Sequence, residues 1–93
     1  MIKSFASGET KQLFERDRPR KIPYLIHKGG LRKLLILDAV IDLNDLRIPP
    51  GNHLELLHGD KKGLYSIRIN SQWRICFRWH EGNAYDVEII DYH

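Results

Sequence analysis

The sequence predicts an α+β fold, with two N-terminal helices packed on a small, mainly antiparallel β-sheet. Three observations predict it. The first half carries apolar residues at helical spacing, interrupted by prolines. The second half carries runs of strict apolar alternation separated by short polar turns. The last of these runs leads directly into Asp91-Tyr92-His93, an acid, a phenol and an imidazole. Chain ends are usually frayed and chemically bland, so an end that a strand holds in place and that carries three proton-active groups points to a site. With 93 residues, a single domain over residues 1–93 is expected.

Ile2-Lys3-Ser4-Phe5 alternates and is expected as a short strand that joins a sheet made later in the chain. Ser7 is a suitable N-cap for a helix through about Arg16, with Thr10, Leu13 and Phe14 on one face. Asp17-Arg18-Pro19-Arg20 breaks that helix, because proline cannot continue it. A second helix is expected from about Pro23, since proline is tolerated at a first helical position. Leu31, Leu34, Leu35, Leu37 and Ile41 supply its apolar stripe. Gly29-Gly30 lies inside it, where each glycine costs about 1 kcal/mol against alanine, so a kink, a break or close backbone packing is expected there. Asp42 to Leu46 reads as one more short turn, and Pro49-Pro50-Gly51-Asn52 ends the helical half.

The sheet follows. Tyr65, Ile67 and Ile69 share one face of a strand, and Trp73, Ile75, Phe77 and Trp79 share one face of the next. Tyr85, Val87 and Ile89 complete the apolar surface. Asn70-Ser71-Gln72 and His80-Glu81-Gly82-Asn83 read as turns. A three-residue loop at 70–72 pairs Ile69 with Trp73 and sets Arg68 directly across from Arg74. Matching the apolar faces of the last hairpin sets Trp79 beside Tyr85, Ile75 beside Ile89 and Ile90 beside Arg74, with Tyr92 on the diagonal. In that register Arg68, Arg74 and Tyr92 share a face near the chain end, flanked by Asp91 and His93.

Like charges opposed across a ladder are destabilising, so the arginine pair is expected either to lie beneath an anion or to be neutralised by nearby acids. Arg68 and Arg78 have Asp86 and Glu88 as acidic candidates; for Arg78 that pairing is the expectation, and for Arg74 it is not. Two guanidiniums, a phenol, an imidazole and a carboxylate suit phosphoryl transfer on RNA. A base takes the 2′-hydroxyl proton, a cation holds the phosphate and an acid protonates the leaving oxygen. Histidine fits either proton role because its pKa lies near neutrality. The loop Leu54-Glu55-Leu56-Leu57-His58-Gly59-Asp60 adds Glu55 and His58. Lys61-Lys62 follow in a glycine-flanked turn, either as phosphate contacts that read no sequence or as a solubilising turn.

Charge is unevenly distributed. Residues 1–33 hold nine basic and three acidic residues, a net +6, and residues 34–93 hold six basic and nine acidic, a net −3. A basic first third, including Arg18, Arg20 and Lys21, is an electrostatic footprint for a polyanion or else a solvated helix surface. Cys76 is the only cysteine, which excludes an intrachain disulfide and suits a reducing compartment. No apolar run is long enough to span a bilayer, and Met1 to Phe5 lacks the apolar core of a signal peptide, so a cytoplasmic protein that binds no membrane is expected. His53 and His58 are five apart, His27 and His80 are isolated, and Cys76 has no cysteine partner. No metal-ligand spacing emerges. No glycine-rich phosphate loop or nucleotide signature is found, so no cofactor is expected.

Several segments resemble the HigB toxins of the RelE/ParE superfamily of bacterial toxin–antitoxin systems. They are Pro49-Pro50-Gly51-Asn52, Gly59-Asp60-Lys61-Lys62-Gly63, Tyr65 to Asn70, Gln72 to Phe77, and Val87 to His93, with Ile2 to Phe5 in place of the family's opening strand. The resemblance covers nearly the whole chain. It implies a compact α/β toxin fold and a metal-independent, ribosome-dependent endonuclease that cuts mRNA in the A site. It implies a HigA-type helix-turn-helix antitoxin, with operator DNA bound only by the toxin–antitoxin complex. Carried over, Arg74 stabilises the scissile phosphate, and Asp91, Tyr92 and His93 form the C-terminal part of the site. Lys61, Lys62, Arg68 and the basic N-terminal third contact RNA. The well-studied branch has a histidine about where Glu55 stands and a lysine about where His58 stands, which leaves acid and base unassigned between Glu55, His58 and His93. The superfamily also contains gyrase poisons that lack the nuclease site, and a toxin-fold subunit that acts only as co-repressor is a third reading.

Overall fold

The computed structural model describes residues 1–59 and 63–92. Two helices lie on one face of a four-stranded antiparallel sheet of order β1-β2-β3-β4. Helix α1 spans Gly8–Phe14 and helix α2 spans His27–Ala39. The strands are β1 Glu55–Leu56, β2 Tyr65–Arg68, β3 Trp73–His80 and β4 Asn83–Asp91. Among the described residues, no helix is long and apolar enough to cross a membrane.

Ser7 caps α1 as expected, its hydroxyl accepting from the Thr10 amide at 3.2 Å. Thr10 is fully buried, and its Oγ1 in turn accepts from the Ile89 amide at 3.0 Å, which pins α1 to β4. The second helical segment opens with a 3₁₀ turn, Tyr24–Ile26, before α2 proper. Leu34 and Leu37 of the expected stripe are fully buried, but Leu35 and Ile41 are exposed. Ile41 lies beyond the end of α2, where the chain has become extended at Val40, so helical spacing no longer governs it. The helix runs unbroken through Gly29-Gly30, and close packing is the reason for Gly30. A Cβ there would lie 3.2 Å from Leu13 Cδ2 and 3.5 Å from Ile89 Cδ1. A 3₁₀ turn at Leu43–Arg47, capped by Asp42, and a further turn at Pro50–Asn52 complete the helical half.

The core joins Leu13, Ile26, Leu34 and Leu37 from the helices to Ile67, Ile75, Phe77, Val87 and Ile89 from the sheet. The 70–72 turn sets the expected register, with Arg68 paired to Arg74 and Ile67 to Ile75. Asn70 holds it by accepting the Gln72 and Trp73 amides on Oδ1, each at 2.8 Å. The last hairpin departs from expectation. Ile75 pairs with Ile89 and Arg74 with Ile90, but a bulge shifts the ladder beyond Cys76. Trp79 therefore pairs with Ala84, and Tyr85 stands opposite Arg78. Ala84 takes the buried position expected for Tyr85. The extra residue is accommodated at Asp86, which has φ 52° and donates its amide to Ser4 Oγ at 2.9 Å. The first residues join β4 through parallel bridges, Ile2 to Ala84 and Phe5 to Val87. The segment expected as a loop before the sheet contributes β1, with Glu55 paired to Ser66 and Leu56 to Tyr65.

Candidate active site

The apolar residues of β2, β3 and β4 turn towards the helices, so alternation sends Ser66, Arg68, Arg74 and Ile90 to the opposite face. Glu55 joins them there through its pairing with Ser66. On this face an open groove of about 330 Å³ is lined by Arg68, Arg74 and Tyr92, by Glu55 and His53, and by Asn70 and Ser71 of the turn.

Arg74 organises the groove. It is only 7% exposed although it is an arginine on the helix-free side of the sheet. Its Nε donates to Ser66 Oγ at 2.7 Å, and its Nη2 donates to the backbone carbonyls of His53 and Ser66. Tyr92 covers it, with the guanidinium carbon 5.7 Å from the ring centroid, within cation–π range. The ion pairs among the described residues are Lys21–Glu9, Arg78–Asp86 and His80–Glu81, and they include neither Arg68 nor Arg74. The expected Arg78–Asp86 pairing is present at 3.4 Å. Among the described lining residues the groove holds two guanidiniums and one carboxylate, Glu55, an excess of positive charge that favours an anion.

Of the residues singled out in the sequence, Arg68, Arg74, Tyr92 and Glu55 come together in this groove. Asp91 lies beside it. It pairs with Trp73 on the ladder, and its Oδ2 accepts from Gln72 Nε2 at 3.1 Å, which ties the end of β4 to the 70–72 turn. His58 is exposed beyond β1 and is not among the groove's lining residues. Lys61, Lys62 and His93 lie outside the described residues. Arg18, Arg20 and Lys21 are exposed on the connection between the helices and do not line the groove. Arg18 borders a second groove with Arg16, Tyr24, His27 and Lys28, and Lys21 pairs with Glu9 at 3.6 Å. No group of three or more His, Cys, Asp or Glu side chains among the described residues is arranged to hold a metal ion.

Two participants were not singled out from the sequence. His53 has a left-handed backbone, φ 45°, its carbonyl accepts from Arg74, and the residue lines the groove. Its position two residues before Glu55 was the available signal. Ser66 is fully buried and anchors Arg74 Nε. A serine flanked by strand residues carries no such signal, because its role depends on the diagonal approach of Arg74 from β3.

The family described as "RelE-like toxin of type II toxin-antitoxin system HigB" matches residues 3–93. Toxin HigB-1 of Vibrio cholerae serotype O1 is 47% identical over 85 residues, covering 90% of each chain. Endoribonuclease HigB of Proteus vulgaris is 32% identical over 93 residues, covering 100% of each chain. The crystal structure of YafQ from E. coli strain BL21(DE3) has the same fold, with a TM-score of 0.56 at 15% identity over 98% of this chain and 93% of that one. The chain belongs to the HigB-like family and is a toxin of the type II toxin–antitoxin class, which implies an antitoxin as its partner.

Proposed function

We propose that this toxin is a metal-independent endoribonuclease that cuts mRNA on the ribosome and is neutralised by a HigA-type helix-turn-helix antitoxin. The observation that carries the reading is the buried, pre-oriented Arg74 guanidinium beneath Tyr92, facing a groove shared with Arg68 and Glu55. The name of the Proteus vulgaris relative, an endoribonuclease, supports it.

In this reading the RNA 2′-oxygen attacks the adjacent phosphorus. The new O–P bond forms as the bond to the 5′-oxygen breaks, giving a cyclic phosphate and a free 5′-hydroxyl. Arg74 stabilises the charge that develops on the non-bridging oxygens. Its Nε and Nη2 are held by protein acceptors, and Nη1 is the donor offered to the phosphate. Arg68 adds a second positive charge across the ladder. Glu55 or His53, both of which line the groove, takes the 2′-hydroxyl proton. In the same reading Tyr92 and His93 handle protons or orient the substrate, and Asp91 orients His93. Lys61, Lys62 and the basic N-terminal third contact ribosomal RNA. A free nuclease would need to hold a flexible strand by itself, whereas the ribosome presents one already ordered.

The test is to induce the chain alone in bacteria and map the 5′ ends of cellular mRNA with and without translation. Breaks within translated codons that vanish when translation is blocked, and that are lost in Arg74→Ala, are the expected result. Growth arrest with intact mRNA and damaged DNA would replace this reading with a gyrase poison. No arrest would replace it with a co-repressor role.

A further inference from the structure

A buried polar chain runs from the helical layer to the groove. Lys33, on α2, is only 8% exposed, and its ammonium donates to Asn52 Oδ1. Asn52 is 0% exposed, and its Nδ2 donates to the Leu46 carbonyl at 3.1 Å and the Ile48 carbonyl at 3.4 Å. The side-chain amide is thereby engaged at both ends. The next residue is His53, whose own amide donates to the Pro50 carbonyl at 3.1 Å and whose carbonyl accepts from Arg74 Nη2. Each link is a hydrogen bond or a single peptide unit, and the chain ends on the guanidinium that the groove is built around.

Lys33 and Asn52 are buried polar side chains. An apolar side chain in place of Lys33 would avoid the cost of burying an ammonium. Burial does weigh on it, lowering its pKa from the ordinary 10.5, with the Arg32 charge as a smaller contribution. Orientation is what the buried donor adds. With its Oδ1 fixed by Lys33, Asn52 turns its Nδ2 onto the Leu46 and Ile48 carbonyls of the preceding segment, and the left-handed His53 turn starts from that point.

Building on the reading of the groove as a phosphate-binding site, we infer that Lys33 and Asn52 are positioning residues. They hold the His53 carbonyl against Arg74 and so set the plane in which its guanidinium meets the phosphate. They touch no substrate themselves.

The experiment uses the full-length ¹⁵N-labelled chain and the Lys33→Met variant, which keeps the stem and removes the donor. The Arg74 Nε–Hε resonance is identified by its loss in Arg74→Lys. In Lys33→Met that resonance is expected to shift and exchange faster with water, while the Arg68 resonance stays in place. Single-turnover mRNA cleavage on programmed ribosomes is expected to fall by about tenfold to a hundredfold, with ribosome affinity within about twofold of wild type. In an Arg74→Lys background the added Lys33→Met change should cost little more, since both act through one group. If Lys33→Met does not fold, Asn52→Asp carries the same readouts, because it keeps an acceptor for Lys33 and loses both donors to Leu46 and Ile48. An unmoved Arg74 resonance in a folded variant overturns the inference. If the wild-type chain cuts no RNA, the nuclease reading fails and the resonance alone decides whether Lys33 positions Arg74.

Discussion

Arg68 and Arg74 stand directly opposite each other across the β2–β3 ladder. Two guanidiniums on one face of a sheet repel, and no ion pair described in the structure engages either of them. Arg74 is tied down by Ser66 and His53, and Arg68 is the more exposed of the two. Arg68→Thr, which keeps a good strand residue, is therefore expected to raise stability by about 0.5 kcal/mol, read as a higher urea midpoint. The same change should weaken RNA binding and reduce the salt slope by about 0.7, the contribution of one phosphate contact on a single strand. A lower midpoint would show that Arg68 stabilises the fold and that the opposed pair carries no strain.

Tyr92 is 41% exposed and lies over Arg74. Its ring and its hydroxyl can be separated. Tyr92→Phe keeps the stacked ring and should leave thermal stability unchanged, while Tyr92→Ala should lose about 0.5–1 kcal/mol, the value of an exposed cation–π contact. Cleavage should fall in both, and further in the alanine variant. Equal loss in the two would assign the whole effect to the hydroxyl.

The paired glycines of α2 are not equivalent. A Cβ on Gly29 would meet Ile69 Cγ2 at 3.6 Å, an ordinary contact, whereas one on Gly30 would meet Leu13 Cδ2 at 3.2 Å. Gly29→Ala should stabilise the protein by about 0.5–1 kcal/mol through helix propensity. Gly30→Ala should gain less, because Leu13 must yield in the core. Denaturant melts of the two variants rank them directly, and a larger gain at Gly30 would contradict the packing argument.

Thr10 joins α1 to β4 through the Ile89 amide. Thr10→Val keeps the shape and removes the acceptor, leaving a buried N–H without it. The expected loss is about 1–3 kcal/mol, measured by urea unfolding.

Lys33 makes stability depend on pH in the alkaline range. Its pKa is lowered in the folded protein, by burial first and by Arg32 second, from an ordinary value of 10.5. Between the lowered value and 10.5 the unfolded chain binds more protons than the folded one, so this group's contribution to stability rises with pH. The stability of the wild type relative to Lys33→Met should therefore increase as pH is raised towards 10.5, in urea melts of both proteins. A flat difference would mean that the ammonium is not penalised in the fold.

Much of the site could be read before the fold was known, and the reason is local. A three-residue turn at Asn70-Ser71-Gln72 sets a register, and a register sets which residues face each other, so the Arg68–Arg74 pair and its neighbour Ile90 followed. The same logic misplaced Tyr85. Apolar alternation from Tyr85 through Val87 to Ile89 continues unbroken across the bulge, and nothing in the pattern marks the extra residue that turns Ala84 into the core. A stripe at helical spacing likewise overran the end of α2 to reach Ile41, which is 83% exposed.

From the sequence alone came the α+β class, the capped first helix, the strands of the main hairpins and a candidate set that held Arg68, Arg74, Tyr92 and Glu55 together with Asp91, His93 and His58, the last of which does not line the groove. All of these rest on periodicity, turn chemistry and motifs a few residues long. Tertiary structure decided what holds the set in place. Arg74 meets Ser66 from 8 residues away and the His53 carbonyl from 21, and Lys33 reaches Asn52 across 19. Such contacts obey no short period. They arise only when helix, turn and sheet are packed together, because a buried donor must find its acceptor wherever the folded chain brings one.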